Sequence, residues 1–131
     1  MKHLPPQQAW QFLQSRPDAV FIDVRMEIES LYVGRPPGVV NLPWYEYPDM
    51  TPDAVQFIDA VSREVQGDKA RPVLLICRSG QRTLAAGQAL EAAGFTEVAD
   101  VNHGFEGELN DEFKRSSLSG WRFEGLPWEQ M

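Results

Sequence analysis

At 131 residues the chain has the length of one domain, enough to bury a core without staples. Apolar residues make up 43% and charged residues 24%, and the formal charge of −7 argues against nucleic acid or an anionic membrane as a main partner. The single cysteine, Cys77, excludes an internal disulfide and a cysteine-rich zinc site, and the acidic pairs such as Asp111-Glu112 offer no metal site.

The amino terminus, Met1 to Pro6, has no apolar signal core, and no stretch nears the roughly 20 apolar residues of a membrane span. A cytoplasmic location is the expectation. Pro5 and Pro6 stand at a helix entry; Ala9, Trp10 and Leu13 mark one helical face, and Pro17 ends the run. Ala19 to Val24 reads as a buried strand, short and β-branched, and Met26 to Leu31 as a helical turn. Gly34-Arg35-Pro36-Pro37-Gly38 cannot be regular structure, and Val39 to Pro43 is expected to form a short strand. Trp44, Tyr45 and Tyr47 are expected to pack under a long connection. Thr51-Pro52-Asp53 supplies a cap and an N1 proline for a helix carrying Ala54, Phe57, Ile58, Val61 and Val65, which Gly67 stops. Arg71 to Cys77 is the next strand, followed by a helix from about Arg82 to Gly94 and a strand within Phe95 to Val101. In the tail, Trp121, Phe123 and Trp128 are expected to pack back into the core.

Short apolar strands alternating with helices of a few turns define an α/β domain with a mostly parallel sheet. Ligands of such sheets bind outside the carboxyl ends of the strands. Asp23-Val24-Arg25, Cys77 and Asn102-His103-Gly104 all fall at predicted strand ends, so they are expected to share one rim.

The stretch with the sharpest chemistry is Val73 to Thr83. An apolar run ends on Cys77, the polar loop Arg78-Ser79-Gly80-Gln81 follows, and a helix opens at Arg82. Loop amides and the positive end of the helix dipole converge on the sulfur, which favours thiolate over thiol. Gly80 permits the torsions that turn amides inward as an anion nest. Arg78 and Arg82 bring positive charge to the place where an anion must arrive, and Ser79 and Thr83 offer hydroxyl donors. Arg82 at a helix start is unfavourable unless an anion sits beside it. No histidine base is needed: His3 falls in a terminal segment read as mobile, and His103 lies toward the rim, where a pair with Cys77 is the less favoured account.

Four stretches resemble the rhodanese family, in order and at matching spacing. They are Asp23-Val24-Arg25 after a buried strand; Gly34 to Pro43 in the following connection; Leu75 to Thr83 as the active loop; and Gly104-Phe105-Glu106-Gly107, closed by Gly120-Trp121 and Gly125-Leu126-Pro127-Trp128. The resemblance runs from about residue 4 to residue 128 and implies a single rhodanese-like domain, with a central five-stranded sheet and helices on both faces. It implies a thiosulfate sulfurtransferase-like enzyme, in which Cys77 takes a sulfane sulfur from a small anionic donor such as thiosulfate. The Cys77 persulfide then passes that sulfur to cyanide, a thiol or a protein acceptor. Arg78, Ser79, Gly80, Gln81, Arg82 and Thr83 are the implied substrate cradle, with Asp23, Arg25 and Arg35 in support and no metal or organic cofactor required. Arg35 stands where the family often has histidine, and His103 where small or acidic residues are common.

Cys77 through Arg82 is a six-residue loop. Cysteine phosphatases need one residue more to enclose a phosphate, so the shorter cradle suits one extra sulfur atom and disfavours phosphate-ester chemistry. The competing reading is a sulfur-carrier or partner-binding rhodanese module with little thiosulfate activity of its own. An exposed apolar patch beside the loop would favour a protein acceptor.

Overall fold

Three strands supply the centre of the sheet because they are apolar along nearly their whole length. In the computed structural model, which describes residues 1–131, the strands are β1 (Lys2–Leu4), β2 (Val20–Asp23), β3 (Val40–Asn41), β4 (Val73–Ile76) and β5 (Val98–Val101). β2, β4 and β5 are buried at every position, as a parallel sheet covered on both faces requires. The order is β1-β5-β4-β2-β3 with every pairing parallel. The helices are α1 (Pro6–Ser15), α2 (Ala54–Glu64) and α3 (Arg82–Ala92), and Glu29–Val33 forms one wide π-type turn.

Alternation along the strands splits the core in two. Ile22, Val24, Val73, Leu75, Cys77 and Val98 face α2 and α3, meeting Phe57, Val61, Ala86 and Leu90. Phe21, Leu74, Ile76, Ala99 and Val101 face α1 and the carboxyl-terminal segment, meeting Ala9, Phe105, Trp121 and Leu126. Trp121 is fully buried. It packs edge-on against Trp10 at 5.9 Å and donates its indole N–H to the Pro127 carbonyl at 2.7 Å.

The expected α/β domain with helices on both faces is therefore present, and the sheet is wholly parallel. Four details differ. β1 was not expected: three half-polar residues give no apolar run, and the strand exists because an edge position needs only one paired side. His3 consequently sits in the sheet and not in a mobile terminus. Asp53, not a residue before it, caps α2 by accepting the Gln56 amide at 3.1 Å, so Pro52 lies outside the helix. Phe123 and Trp128 stay 50% and 42% exposed; the Trp128 ring meets Phe105 edge-on, lies against Gly34, and carries the Arg122 guanidinium 5.2 Å from its centre.

Period-two alternation puts the Asp23 side chain on the sheet face opposite Cys77. There Arg25 donates from Nε and Nη2 to Asp23 at 2.9 and 2.7 Å, and from Nη2 to the Gly34 carbonyl at 2.7 Å, with both side chains fully buried. The Arg25 guanidinium also lies 4.8 Å from the centre of the Phe105 ring. Breaking a buried pair from one side leaves the other charge uncompensated, at a cost of about 3–5 kcal/mol. Asp23→Asn should lower unfolding stability by that order in denaturant titration. Arg35→Ala, which removes a partly exposed pair with Glu129 and a long hydrogen bond to the Ser30 carbonyl, should stay within about 1 kcal/mol. Equal losses would contradict the weight given to the buried pair.

Candidate active site

β4 ends at Ile76, so Cys77 stands at the carboxyl edge of the sheet, and its residue is 1% exposed. Gly80 turns the chain back with φ +96°, a conformation that favours glycine. The turn aims the Gly80 amide at the sulfur, which accepts its hydrogen bond at 3.2 Å. Thr83, in the first turn of α3, places its hydroxyl 3.8 Å from the same sulfur. Of the loop amides expected to turn inward, that of Gly80 bonds the sulfur directly, under a helix start.

The outer side of the loop is fixed by the chain after β5. Phe105 donates its amide to the Cys77 carbonyl at 2.8 Å, and Glu106 donates to the Arg78 carbonyl at 2.9 Å. Gly104 lies so close beneath that a Cβ there would come within 2.5 Å of the Cys77 carbonyl oxygen. His103 and Gly104 both adopt left-handed backbone, φ +67° and +66°. For a histidine that is uncommon, and its cost of about 1–2 kcal/mol is set against packing here. The His103 ring turns to Glu108, Nδ1 to Oε1 at 2.6 Å, and so does not pair with Cys77. That histidine, and a hydrogen bond from Ser119, hold the Glu108 carboxyl below its usual range.

The two loop arginines differ. Arg82 is bound by Glu29 in a two-pronged pair at 2.7 and 2.8 Å, with both side chains only 12% exposed. The Tyr45 ring stacks on it at 5.3 Å. The anion that an arginine at a helix start requires is therefore supplied by the chain itself. Burial opposes the Glu29 charge, yet the Arg82 guanidinium, the Met26 amide and the nearby Arg25 hold its carboxyl below the usual value. Burial likewise opposes the Arg82 charge, and Glu29, with smaller help from Tyr45 and Cys77, raises it above its usual value. Arg78 is exposed and makes no ion pair, so it is the loop cation open to solvent. Ser79 and Gln81 make no side-chain hydrogen bond to the loop; Ser79 is half-buried and Gln81 exposed.

Of the supporting residues, Asp23 and Arg25 lie on the other face, where the Arg25 guanidinium meets the Phe105 ring. Arg35 pairs with the chain end: its backbone exchanges two hydrogen bonds with Glu129, at 2.8 and 2.9 Å, and its side chain reaches the Ser30 carbonyl. It is not part of the loop. Trp44 packs against Phe57 as expected, at 5.3 Å, while Tyr45 covers Arg82 and Tyr47 is 72% exposed. Two residues that sequence reasoning missed are Glu29 and Asp100. Asp100 accepts from the Thr83 hydroxyl at 2.6 Å and contacts His3 Nδ1 at 2.7 Å. An arginine needing an anion was a signal for the first, and a lone acid inside an apolar strand for the second.

Fold and loop define a small parallel α/β domain with one buried thiol at its rim. The sequence matches the rhodanese-like domain family over residues 5–110, and the chain belongs to that family. The uncharacterized protein RC0915 of Rickettsia conorii is 27% identical over 128 residues, spanning 93% of this chain and 92% of its own. The rhodanese domain-containing protein CG4456 of Drosophila melanogaster is 31% identical over 105 residues, covering 79% and 90%. Among solved structures, Rv0390 of M. tuberculosis aligns over 100% of this chain and 98% of its own, at 36% identity and a TM-score of 0.85. A thiosulfate sulfurtransferase of Pseudomonas aeruginosa shares the fold at 21% identity and a TM-score of 0.73, over 99% of this chain and 20% of its own.

Two outcomes test the site's construction. Gly104→Ala should cost more stability than Gly38→Ala, since both need left-handed backbone but only Gly104 has a carbonyl where the methyl would go; thermal melts giving equal losses would contradict the close approach. The Glu29–Arg82 pair contributes fully above the ordinary Glu29 value of 4.5 and is lost as pH falls through the depressed folded value. Glu29→Gln should therefore be less stable than the unchanged protein near neutral pH, with the difference shrinking on acidification. A difference that does not change with pH would contradict the depressed carboxyl.

Proposed function

We propose that the chain is a sulfurtransferase that moves one sulfane sulfur through a Cys77 persulfide, from thiosulfate or a similar anion to an external nucleophile. The observation that carries this reading is the buried Cys77 sulfur under the Gly80 amide, in a six-residue loop at the carboxyl edge of the sheet. Membership of the rhodanese-like family supports it, as does the fold shared with structures described as a thiosulfate sulfurtransferase and a polysulfide-sulfur transferase.

In the first step the Cys77 thiolate attacks the outer sulfur of thiosulfate, the S–S bond of the donor breaks, and sulfite leaves with its electron pair. The product is an anionic persulfide whose terminal sulfur stands about 2 Å beyond Sγ. In the second step a thiolate or cyanide attacks that terminal sulfur and the Cys77 thiolate is regenerated. The Gly80 amide is the donor placed for the negative Sγ of the resting and regenerated thiolate. Arg78 serves the incoming anion and departing sulfite, because Arg82 is already neutralised by Glu29 and acts by holding the loop against the π-type turn. With no second cysteine, the acceptor comes from outside.

One observation favours a protein as that acceptor. Met26, Glu27, Ile28, Glu46 and Tyr47 line an open cavity of about 510 Å³ beside the Glu29–Arg82 pair. Ile28 is 59% and Tyr47 72% exposed, an apolar patch with an acidic rim of the kind that marks an interaction surface.

Cys77→Ser should abolish thiosulfate-dependent thiocyanate formation from cyanide while leaving the melting transition in place. Turnover retained in the variant would overturn the persulfide route.

A further inference from the structure

β1 and β5 pair in register at His3 and Asp100. Alternation puts the Asp100 side chain on the Cys77 face of the sheet, beneath α3. There the carboxylate is 2% exposed, while His3 is half exposed. Each Asp100 oxygen has one partner: Oδ1 meets His3 Nδ1 at 2.7 Å, and Oδ2 accepts the Thr83 hydroxyl at 2.6 Å. Thr83 Oγ1 in turn is 3.8 Å from Cys77 Sγ. A continuous polar path therefore runs from the surface at His3 to the buried sulfur, and the sulfur-transfer steps above make no use of it.

The hydroxyl at the middle of this path has a single proton. An ionised Asp100 claims it, at the shorter distance, and Thr83 then turns lone pairs toward Cys77, an arrangement that accepts from a thiol and opposes a thiolate. When His3 carries a proton, the Asp100 charge is compensated and its hold on the hydroxyl weakens. The Thr83 proton is then released to its other two acceptors, the Cys77 sulfur at 3.8 Å and the Gly80 carbonyl at 3.3 Å. We propose that His3, Asp100 and Thr83 are positioning residues that set the direction of the Thr83 hydroxyl and so the reactivity of Cys77. This deepens the sulfurtransferase reading and rests on Cys77 being its nucleophile.

The remaining charges around this face are already engaged or exposed. From α3, Arg82 is held by Glu29 and Tyr45, and Glu91 holds the Met1 ammonium at 2.9 Å. From the chain after β5, His103 is held by Glu108. α2 presents the apolar side chains of Phe57 and Val61 to this face, and Arg78 points to solvent. Asp100 is thus the buried acid joined to the sulfur through one hydroxyl, and His3 is its only cationic partner.

The test is the pH profile of Cys77 alkylation by iodoacetamide, read by intact mass without any sulfur donor. Asp100→Asn removes the charge and should move the midpoint down by about one unit, giving roughly tenfold faster alkylation at a fixed pH below the midpoint. His3→Gln should be slower than the unchanged protein only at pH values where His3 carries a proton. Thr83→Ser, which keeps the hydroxyl, should preserve the profile of the unchanged protein, and Thr83→Val should remove the effect of Asp100→Asn. Identical midpoints for the Asp100→Asn and unchanged proteins would overturn the proposal, as would an Asp100→Asn shift that survives Thr83→Val. Because alkylation needs no donor, loss of thiosulfate turnover with an intact Asp100 effect would count against the sulfurtransferase reading alone.

Discussion

The site depends on two hydrogen bonds that never touch the sulfur: those from the Phe105 and Glu106 amides to the Cys77 and Arg78 carbonyls. A strand that simply ended would leave these carbonyls to water and the loop free to move. Here the loop is fixed to a second backbone segment, and that segment is fixed in turn. Trp121 and Arg122 donate their amides to the Gly104 and Phe105 carbonyls at 2.9 and 3.2 Å. Gly107 and Gly120 let the two segments approach closer than any side chain would allow. On the far face, Phe105 lies between the guanidinium groups of Arg25 and Arg122, at 4.8 and 5.2 Å. The buried Asp23–Arg25 pair and the tryptophan-rich tail are thus connected to Cys77 by a short series of contacts.

Electrostatics around the thiol are arranged locally within an acidic protein. One arginine of the loop is spent on Glu29 and gives rigidity; the other faces solvent and gives charge. A pair such as Glu29–Arg82 would add little if exposed, but with both partners largely covered it fixes the start of α3 against the turn after β2. The amide of Gly80 then points at sulfur without adjustment during reaction, which is how a preorganised donor stabilises an anion.

Much of this was legible in the sequence because it follows from local pattern. The three largely apolar strands, the glycine stops at Gly67 and Gly94, and the strand-to-helix turn carrying Cys77 each declare themselves within a few residues. What escaped depends on contacts between distant parts of the chain. β1 is too short and too polar to carry a period, and only its pairing with β5 makes it a strand. The position of Arg82 demanded an anion, but nothing in the spacing named Glu29, 53 residues earlier, as the one that answers. Thr83 reads as a hydroxyl donor to sulfur until Asp100 is placed beside it. The tail was expected to bury all three aromatic residues, yet one small domain has room beneath α1 for Trp121 and leaves Phe123 and Trp128 at the surface.

The central claim is that Cys77 holds a single sulfur atom between donor and acceptor. Intact-mass measurement after incubation with thiosulfate, followed by removal of excess donor, tests it most directly. The account predicts a gain of about 32 Da, localised to Cys77 and lost on addition of cyanide or a thiol. An unmodified mass across thiosulfate, polysulfide and persulfide donors would contradict it.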